Sequence, residues 1–227
     1  MHNTDNANIT LVKITAKKFG HLLDKVVFLG GAVTSLFITD PATFQIRPTQ
    51  DVDVIIELVS KVAYYQLEQQ LRTLGFKHDQ NAPIICRWIV DGIKVDILPT
   101  SSEILGFSNR WYSASVKTAQ YVELEEDLVI KLVIAPYFLA TKIEAFEGRG
   151  RNDYLASHDL EDIITVIDGR PEIIEEVRAV EQVLNYYLRE KFTDFLHNED
   201  FLDALPGHLQ DERRVSVFIK RLKEIIK

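Results

Sequence analysis

Residues Val26 to Glu57, VVFLGGAVTSLFITDPATFQIRPTQDVDVIIE, constrain this chain more than any other stretch. An apolar run, Val26-Val27-Phe28-Leu29, stops at Gly30-Gly31, and a second apolar run carries Asp51 and Asp53 as alternate residues. The pattern predicts a strand, a tight turn into a helix starting at about Ala32, and a second strand. Side chains alternate across a strand, so Asp51 and Asp53 project from one face and Val52 and Val54 from the other. Two carboxylates on one face with nothing cationic between them repel each other, and a shared divalent cation relieves the repulsion. Oxygen-only ligands beside a phosphate substrate suit Mg2+. The glycine pair lets the backbone approach a ligand, and the N–H groups that open the helix point at whatever anion sits there. An anion holder and a metal holder are then neighbours on one sheet. Strands disfavour Asp without a reason, which weighs against two merely solvated acids at a strand start.

The rest of the first half builds around this unit. Ile9 to Leu23 carries apolar residues at Leu11, Val12, Ile14, Phe19, Leu22 and Leu23, the pattern of an amphipathic helix, with Lys13, Lys17, Lys18 and Lys25 as its solvated face. Ser60 to Leu74 reads as a helix with Ser60 as N-cap, Gly75 just past its end, and Val62, Tyr65, Leu67, Leu71 and Leu74 as its buried stripe. Ile84 to Val90 and Ile93 to Leu98 read as two strands joined by Asp91-Gly92, a strong two-residue hairpin signal. In the second of these Ile93, Val95 and Ile97 share a face, leaving Lys94 and Asp96 on the other. Asp96 is then either an edge carboxylate facing water or a third acid of the site. Tyr121 to Leu124 and Leu128 to Val133 form another expected hairpin. The polar stretch between Leu98 and Tyr121 reads as a loop in which Arg110, Trp111 and Tyr112 either stack on a base or anchor the loop.

From Ala135 onward the periodicity is helical. Pro136 fits a first helical turn, and Phe138, Leu139, Ile143 and Phe146 give the apolar set of a helix that also holds Lys142. A lysine there snorkels to water or presents a point charge to a phosphate. Glu147-Gly148-Arg149-Gly150-Arg151-Asn152 breaks that helix in a loop able to wrap a phosphate by backbone and guanidinium together, or to serve as a surface turn. Ser157 caps the next helix, which runs to Gly169 and carries Asp159 and Asp162 on one face. Asp159 sits near its positive end, which stabilises a carboxylate by about 0.3 to 1 kcal/mol for structural reasons alone. Residues Pro171 to Lys227 are charged and helical, with stripes at Ile173, Ile174, Val177, Val180, Val183, Leu184, Tyr187 and Leu188. Pro206-Gly207 is expected to separate the last helix, Glu212 to Ile226. Arg213, Arg214, Lys220, Arg221, Lys223 and Lys227 give that end a concentrated positive patch, available to nucleic acid or to the helix C-terminus. The expected fold class is α+β, with a sheet-bearing core over 1–134 and a helical subdomain over 135–227.

The order apolar strand, Gly-Gly, helix, Asp-x-Asp resembles the nucleotidyltransferase superfamily. Three segments are similar to its AbiEii-like branch, which includes toxins of type IV toxin–antitoxin pairs: Phe28-Leu29-Gly30-Gly31, Arg47 to Asp53 (RPTQDVD), and Lys142 to Asp162 (KIEAFEGRGRNDYLASHDLED). Nineteen residues separate Gly31 from Asp51, more than the family's usual interval, and the excess falls at the Asp40-Pro41-Ala42-Thr43 turn. The resemblance implies a polymerase-β-like core, a mixed sheet flanked by helices, that transfers a nucleoside monophosphate from an NTP. It implies Asp51, Asp53 and Asp96 as Mg2+ ligands, and Gly30, Gly31 and Ser35 on the β- and γ-phosphates. It further implies Arg47, Lys142, Arg149 and Arg151 as charges answering phosphate, and a distal Asp, Asp159 or Asp162, paired with Lys142. An RNA or tRNA acceptor and a cognate antitoxin protein also rest on the resemblance alone.

Composition narrows the rivals. A net charge of −8 does not advertise nucleic acid, so a polyanionic partner needs a local basic groove, whereas a cationic small acceptor such as an aminoglycoside suits the acidic surface. A two-metal nuclease would keep the carboxylates but has no use for the Gly-Gly turn, and a nucleotide-binding module without turnover would keep both. There is no Walker A sequence and no dinucleotide fingerprint, and the six histidines stand apart, which speaks against an ATPase, a dehydrogenase or a zinc enzyme. The single cysteine, Cys86, allows no internal disulfide and reads as a core residue in a reducing compartment. The polar start MHNTDNANIT lacks the regions of a signal peptide, and no apolar run approaches the ~20 residues of a membrane span, so the expectation is a cytoplasmic protein without membrane contact.

Overall fold

The computed structural model describes residues 6–43, 46–58, 60–149, 153–209 and 211–227. The chain falls into two compact units, one of residues up to 35 with 47–134, the other of 36–46 with 135–227.

The first unit is built on a mixed sheet. Its helix α1 (Ala7–Phe19) is capped by Asn6, whose side chain accepts from the Asn8 N–H. Gly20, at φ 50°, ends it, so the amphipathic stretch expected to run to Leu23 finishes as a 3-10 helix, Gly20–Lys25. Then come β1 (Val26–Leu29), a 3-10 helix over Gly31–Phe37, β2 (Asp51–Ile56), α2 (Lys61–Thr73), β3 (Lys77–His78), β4 (Arg87–Val90) and β5 (Ile93–Pro99). Two short helices, α3 (Ser102–Leu105) and α4 (Tyr112–Lys117), precede β6 (Gln120–Glu125) and β7 (Leu128–Leu132). Among the described residues the sheet has seven strands in the order β3-β4-β5-β2-β1-β7-β6. β2 runs parallel to β5 and antiparallel to β1, and β1 is parallel to β7. Helix α1 packs across β2, β5 and β7, with Phe19 edge-on to Phe28 at 6.2 Å and against Phe76 at 5.0 Å.

Local chemistry explains most of these elements. Asp91 and Gly92 both take positive φ, 48° and 80°, the type I′ pattern whose twist suits a two-residue hairpin. That turn locks Val90 opposite Ile93, and Arg87 therefore opposite Asp96. Ser60 caps α2 by accepting from the Ala63 N–H. The buried stripe of α2 differs from the expected one: Tyr64 faces in with Leu67 and Leu71, while Val62 and Tyr65 are 65% and 61% exposed. The expected loop between Leu98 and Tyr121 contains α3 and α4, and Trp111 is buried there, which favours anchoring over base stacking. Lys13 and Lys17 pair with Glu125 and Lys18 with Asp91, as a solvated face does. Cys86 is buried, and burial, aided by the nearby Asp96 charge, pushes its thiol up to about 12.

The second unit is helical: α5 (Ala135–Gly148), α6 (His158–Gly169), α7 (Ile173–Ala179), α8 (Gln182–Leu196), α9 (Glu199–Leu209) and α10 (Glu212–Ile225). Residues 36–43 lie against the end of α6, where the Gly169 carbonyl accepts from the N–H groups of Thr39 and Asp40, both at 2.9 Å. A Cβ on Gly169 would stand 2.7 Å from Ile38 Cδ1, so the close approach requires glycine. Pro206 lies inside α9 rather than separating it from the last helix, and Val183 is exposed. The basic C-terminal patch is also not as expected. Arg214 reaches the buried Asp168 through Nε at 3.0 Å and Asp40 through Nη2 at 3.0 Å, while Arg221 donates to the Asp168 carbonyl and pairs with Asp40 at 3.5 Å. Burying Asp168 demands a partner, and two of the six basic side chains are consumed in meeting that demand. Among the described residues no helix is long and apolar enough to cross a membrane.

Candidate functional site

The first unit gathers three carboxylates on one sheet face. Asp51 and Asp53 are half-buried on β2, while Val52 and Val54 are fully buried on the other side. Asp53 is in register with Asp96 on the parallel neighbour β5, so their side chains leave the sheet in the same direction. Leu29 is Asp53's partner on β1, and the next residue, Gly30, turns the chain at φ 78°. A Cβ there would lie 2.7 Å from Asp53 Cγ and 2.8 Å from Asp53 Cβ. Glycine is thus needed twice over at position 30, for its backbone and for the space that Asp53 fills.

Asp96 is buried, and Arg87 holds it by two parallel bonds, Nε to Oδ1 at 2.7 Å and Nη2 to Oδ2 at 2.6 Å. The same Nη2 reaches Asp51 Oδ2 at 3.1 Å. The Asp96 hydrogen bonds raise the Arg87 pKa further above its ordinary value, against the opposing effect of burial. The other Asp51 oxygen accepts from Thr49 Oγ1 at 2.8 Å. Thr49 and Arg47 are in turn positioned by the buried Asn8, which accepts from the Thr49 N–H and donates to the Arg47 carbonyl, both at 2.9 Å. Arg87 and Asn8 are not among the residues that the sequence motif selects, yet one closes the carboxylate row and the other fixes the approach to Asp51.

After Gly31 the expected helix is a single 3-10 segment, Gly31–Phe37, in which the Val33 N–H bonds to the Gly30 carbonyl at 3.3 Å. The β-branched Val33 and Thr34 disfavour a regular α-helix there. The Ser35 hydroxyl oxygen is buried without a hydrogen-bond partner among the described residues. A buried hydroxyl left so is costly, and a ligand oxygen would relieve it.

In the second unit Lys142 does not snorkel. Its ammonium is buried 3.0 Å from Asp159 Oδ1 and 2.6 Å from Asp162 Oδ2. Arg149, three-quarters exposed, adds two bonds to Asp159 at 2.9 and 3.0 Å. Burial acts to raise the Asp159 pKa, but the Lys142 charge and the Arg149 hydrogen bonds outweigh it and hold the carboxyl below its usual range. Both acids therefore meet Lys142, and Ser157 caps their helix by accepting from the Leu160 N–H at 3.4 Å. Arg151 lies outside the described residues.

Whether a cation fits is a matter of donors. Two of the three carboxylates on these adjacent strands, Asp51 and Asp96, meet one guanidinium, so the row already accommodates positive charge, and its oxygen-only chemistry suits Mg2+. Among the described residues, though, no three His, Cys, Asp or Glu side chains stand ready-made around a metal position. Arg87 gives the physical reason, since it takes both Asp96 oxygens and one of Asp51. No protein-family model matches the chain, and no curated protein matches it.

Proposed function

We propose that the chain is a Mg2+-dependent nucleotidyltransferase that moves a nucleoside monophosphate from an NTP to an acceptor hydroxyl. The observation that carries this reading is the row across the sheet, in which Gly30 makes the space for Asp53 and Asp53 stands in register with Asp96. A glycine turn kept open for a carboxylate has no use in a fold that needs only a solvated acid. Held by Asp51 and Asp53, Mg2+ would neutralise the triphosphate and polarise the α-phosphorus. The chain's own part is to bind and orient. The backbone at Gly30 and Gly31 and the unpartnered Ser35 hydroxyl are donors for the β- and γ-phosphates. Thr49, itself positioned by Asn8, holds Asp51 in place. The acceptor oxygen bonds to the α-phosphorus, the bond to the bridging oxygen breaks, pyrophosphate leaves, and the hydroxyl proton passes to a carboxylate or to water. In the first unit Arg47 supplies positive charge for phosphate; within the second unit Asp159 and Asp162 order Lys142, which with Arg149 is a cation pair that the resemblance assigns to phosphate.

The resemblance to the AbiEii-like branch extends the proposal to an RNA acceptor, with tRNA as one case, in a cytoplasmic toxin governed by an antitoxin. A second reading, a small cationic acceptor of the aminoglycoside kind, is favoured by the net charge of −8. The experiment is incubation with Mg2+, each α-labelled NTP in turn, and either total cellular RNA or an aminoglycoside, beside an Asp51→Ala/Asp53→Ala control of unchanged fold. Label on RNA that vanishes in the control is the expected result, and label on the antibiotic transfers the reading to small acceptors. Nucleotide that binds but is never consumed would refute transferase activity in favour of a binding module.

A further inference from the structure

Arg87 and Lys94 both stand on the acid-bearing face of the sheet, and they are placed differently. Asp53 is in register with Asp96 and Asp51 with Lys94, so by alternation Lys94 leaves β5 on the same side as Asp96 and the β2 acids. The Arg87 guanidinium is committed, with two bonds to Asp96 and a third to Asp51. Thr49 occupies the other Asp51 oxygen. Each oxygen of Asp51 and of Asp96 thus already accepts a hydrogen bond. Lys94, half-buried beside them, has neither a side-chain hydrogen bond nor an ion pair among the described residues. Its neighbour in register on the other side is Ile89, which offers it no charge. We propose that Lys94 binds the phosphates of the incoming nucleotide, as an ammonium set beside the carboxylate that would hold the metal.

Neighbouring strands lie about 4.8 Å apart and a lysine has a long, flexible stem, so its ammonium reaches the space in front of Asp51. A divalent ion held by Asp51 and Asp53 repels an ammonium at that range, whereas the phosphate oxygens that arrive with it attract one. Lys94 therefore acts with opposite sign on two ligands. It weakens the hold on a bare ion and strengthens the hold on an ion that carries a polyphosphate. A lysine that only offsets the acids would have the first effect without the second. Arg87 is kept from this part, because letting go of Asp96, which is 5% exposed, would leave a buried carboxylate without its partner.

The inference rests on the transferase reading for its ligand, a triphosphate, yet its test needs no turnover. Mn2+ alone, followed by the loss of its free-ion resonance signal, and inorganic tripolyphosphate with Mg2+, followed by calorimetry, are each titrated into the full chain. Lys94→Met should bind Mn2+ about tenfold more tightly than the natural protein does, since a nearby positive charge is gone. It should bind tripolyphosphate about ten- to a hundredfold more weakly, the loss of one charge-assisted bond. Lys94→Gln should follow Lys94→Met, and Lys94→Arg, which keeps the charge, should stay close to the natural protein with both ligands. Lys77→Met, at an exposed lysine of β3, changes the net charge equally and should shift neither. Tripolyphosphate bound as tightly by Lys94→Met as by the natural protein overturns the inference and leaves Lys94 a counter-charge to the acids. Weakening of both ligands in Lys94→Met and Lys94→Gln overturns it too, as does a natural chain that binds no tripolyphosphate. Opposed shifts in a chain that labels no acceptor remove the transferase reading and leave this one standing. A chain that labels an acceptor while Lys94→Met keeps its full tripolyphosphate affinity does the reverse.

Discussion

Gly30→Ala separates the two demands placed on that residue. The φ of 78° alone costs an L-residue about 1 to 2 kcal/mol, the ordinary penalty of left-handed backbone. The added Cβ would also fall 2.7 Å from Asp53 Cγ, so the carboxylate must leave its rotamer at a further ~0.5 to 1.5 kcal/mol. The sum is about 1.5 to 3.5 kcal/mol. Gly92→Ala is the matched control, because Gly92 has φ 80° and nothing within 4 Å of its would-be Cβ, leaving only the backbone penalty. At a urea m-value of about 2 kcal/mol/M, the midpoint should fall by about 0.8 to 1.8 M for Gly30→Ala and by about 0.5 to 1 M for Gly92→Ala. Activity should part more sharply than stability. Pushing Asp53 aside by the better part of an ångström misplaces the reacting geometry, for which about a hundredfold loss is reasonable, whereas Gly92→Ala should transfer label at the natural rate. Equal midpoints for the two variants together with undiminished transfer in Gly30→Ala would refute the close-approach reasoning.

Lys142→Met should destabilise the second unit by about 3 to 5 kcal/mol, since it removes the buried ammonium between Asp159 and Asp162, while Arg149→Ala, at a side chain 75% exposed, should cost less than about 1 kcal/mol. Urea unfolding followed by circular dichroism distinguishes them, and similar costs would contradict the buried-pair account. Asp159→Asn probes pH. A carboxyl whose folded pKa is lowered contributes stability that is complete above the unfolded value, about 3.9, and is lost as pH falls through the folded value. The stability gap between the natural protein and Asp159→Asn should therefore be widest above about pH 5 and close on acidification below about pH 4. A gap that widens toward acid would reverse the sign and reject the assignment.

Much of the first unit is legible in the sequence because its signals are local. Asp91-Gly92 and Ser60 act over two to four residues, and the structure uses both as turn and cap chemistry require. Signals that depend on distant partners read less well. Val62 and Tyr65 sit at helical spacing with Leu67 and Leu71, but Tyr64 is the side chain that is buried, a choice made by packing and not by period. The basic C-terminal helix looks like one surface in one dimension, yet Arg214 and Arg221 are drawn inward by Asp168 and Asp40, between 46 and 181 residues away in sequence. Asn8, in the first turn of α1, carries no motif at all. Its role emerges only where the chain returns at Arg47 and Thr49.

Arg87 belongs to neither class. The hairpin turn fixes Val90 against Ile93, and counting outward places Arg87 against Asp96 with no structural knowledge beyond the register. An arginine directly opposite an acid on a strand whose other residues build the core is a pair in the making, since neither side chain is tolerated there alone. Motif reasoning passes over it because it searches for ligands of a cation and not for a cation. The same count of residues that makes Asp96 a third acid of the row also supplies the charge that occupies it. A chain of this kind is therefore better read by balancing the charges that strand register brings together than by collecting the acids that a motif names.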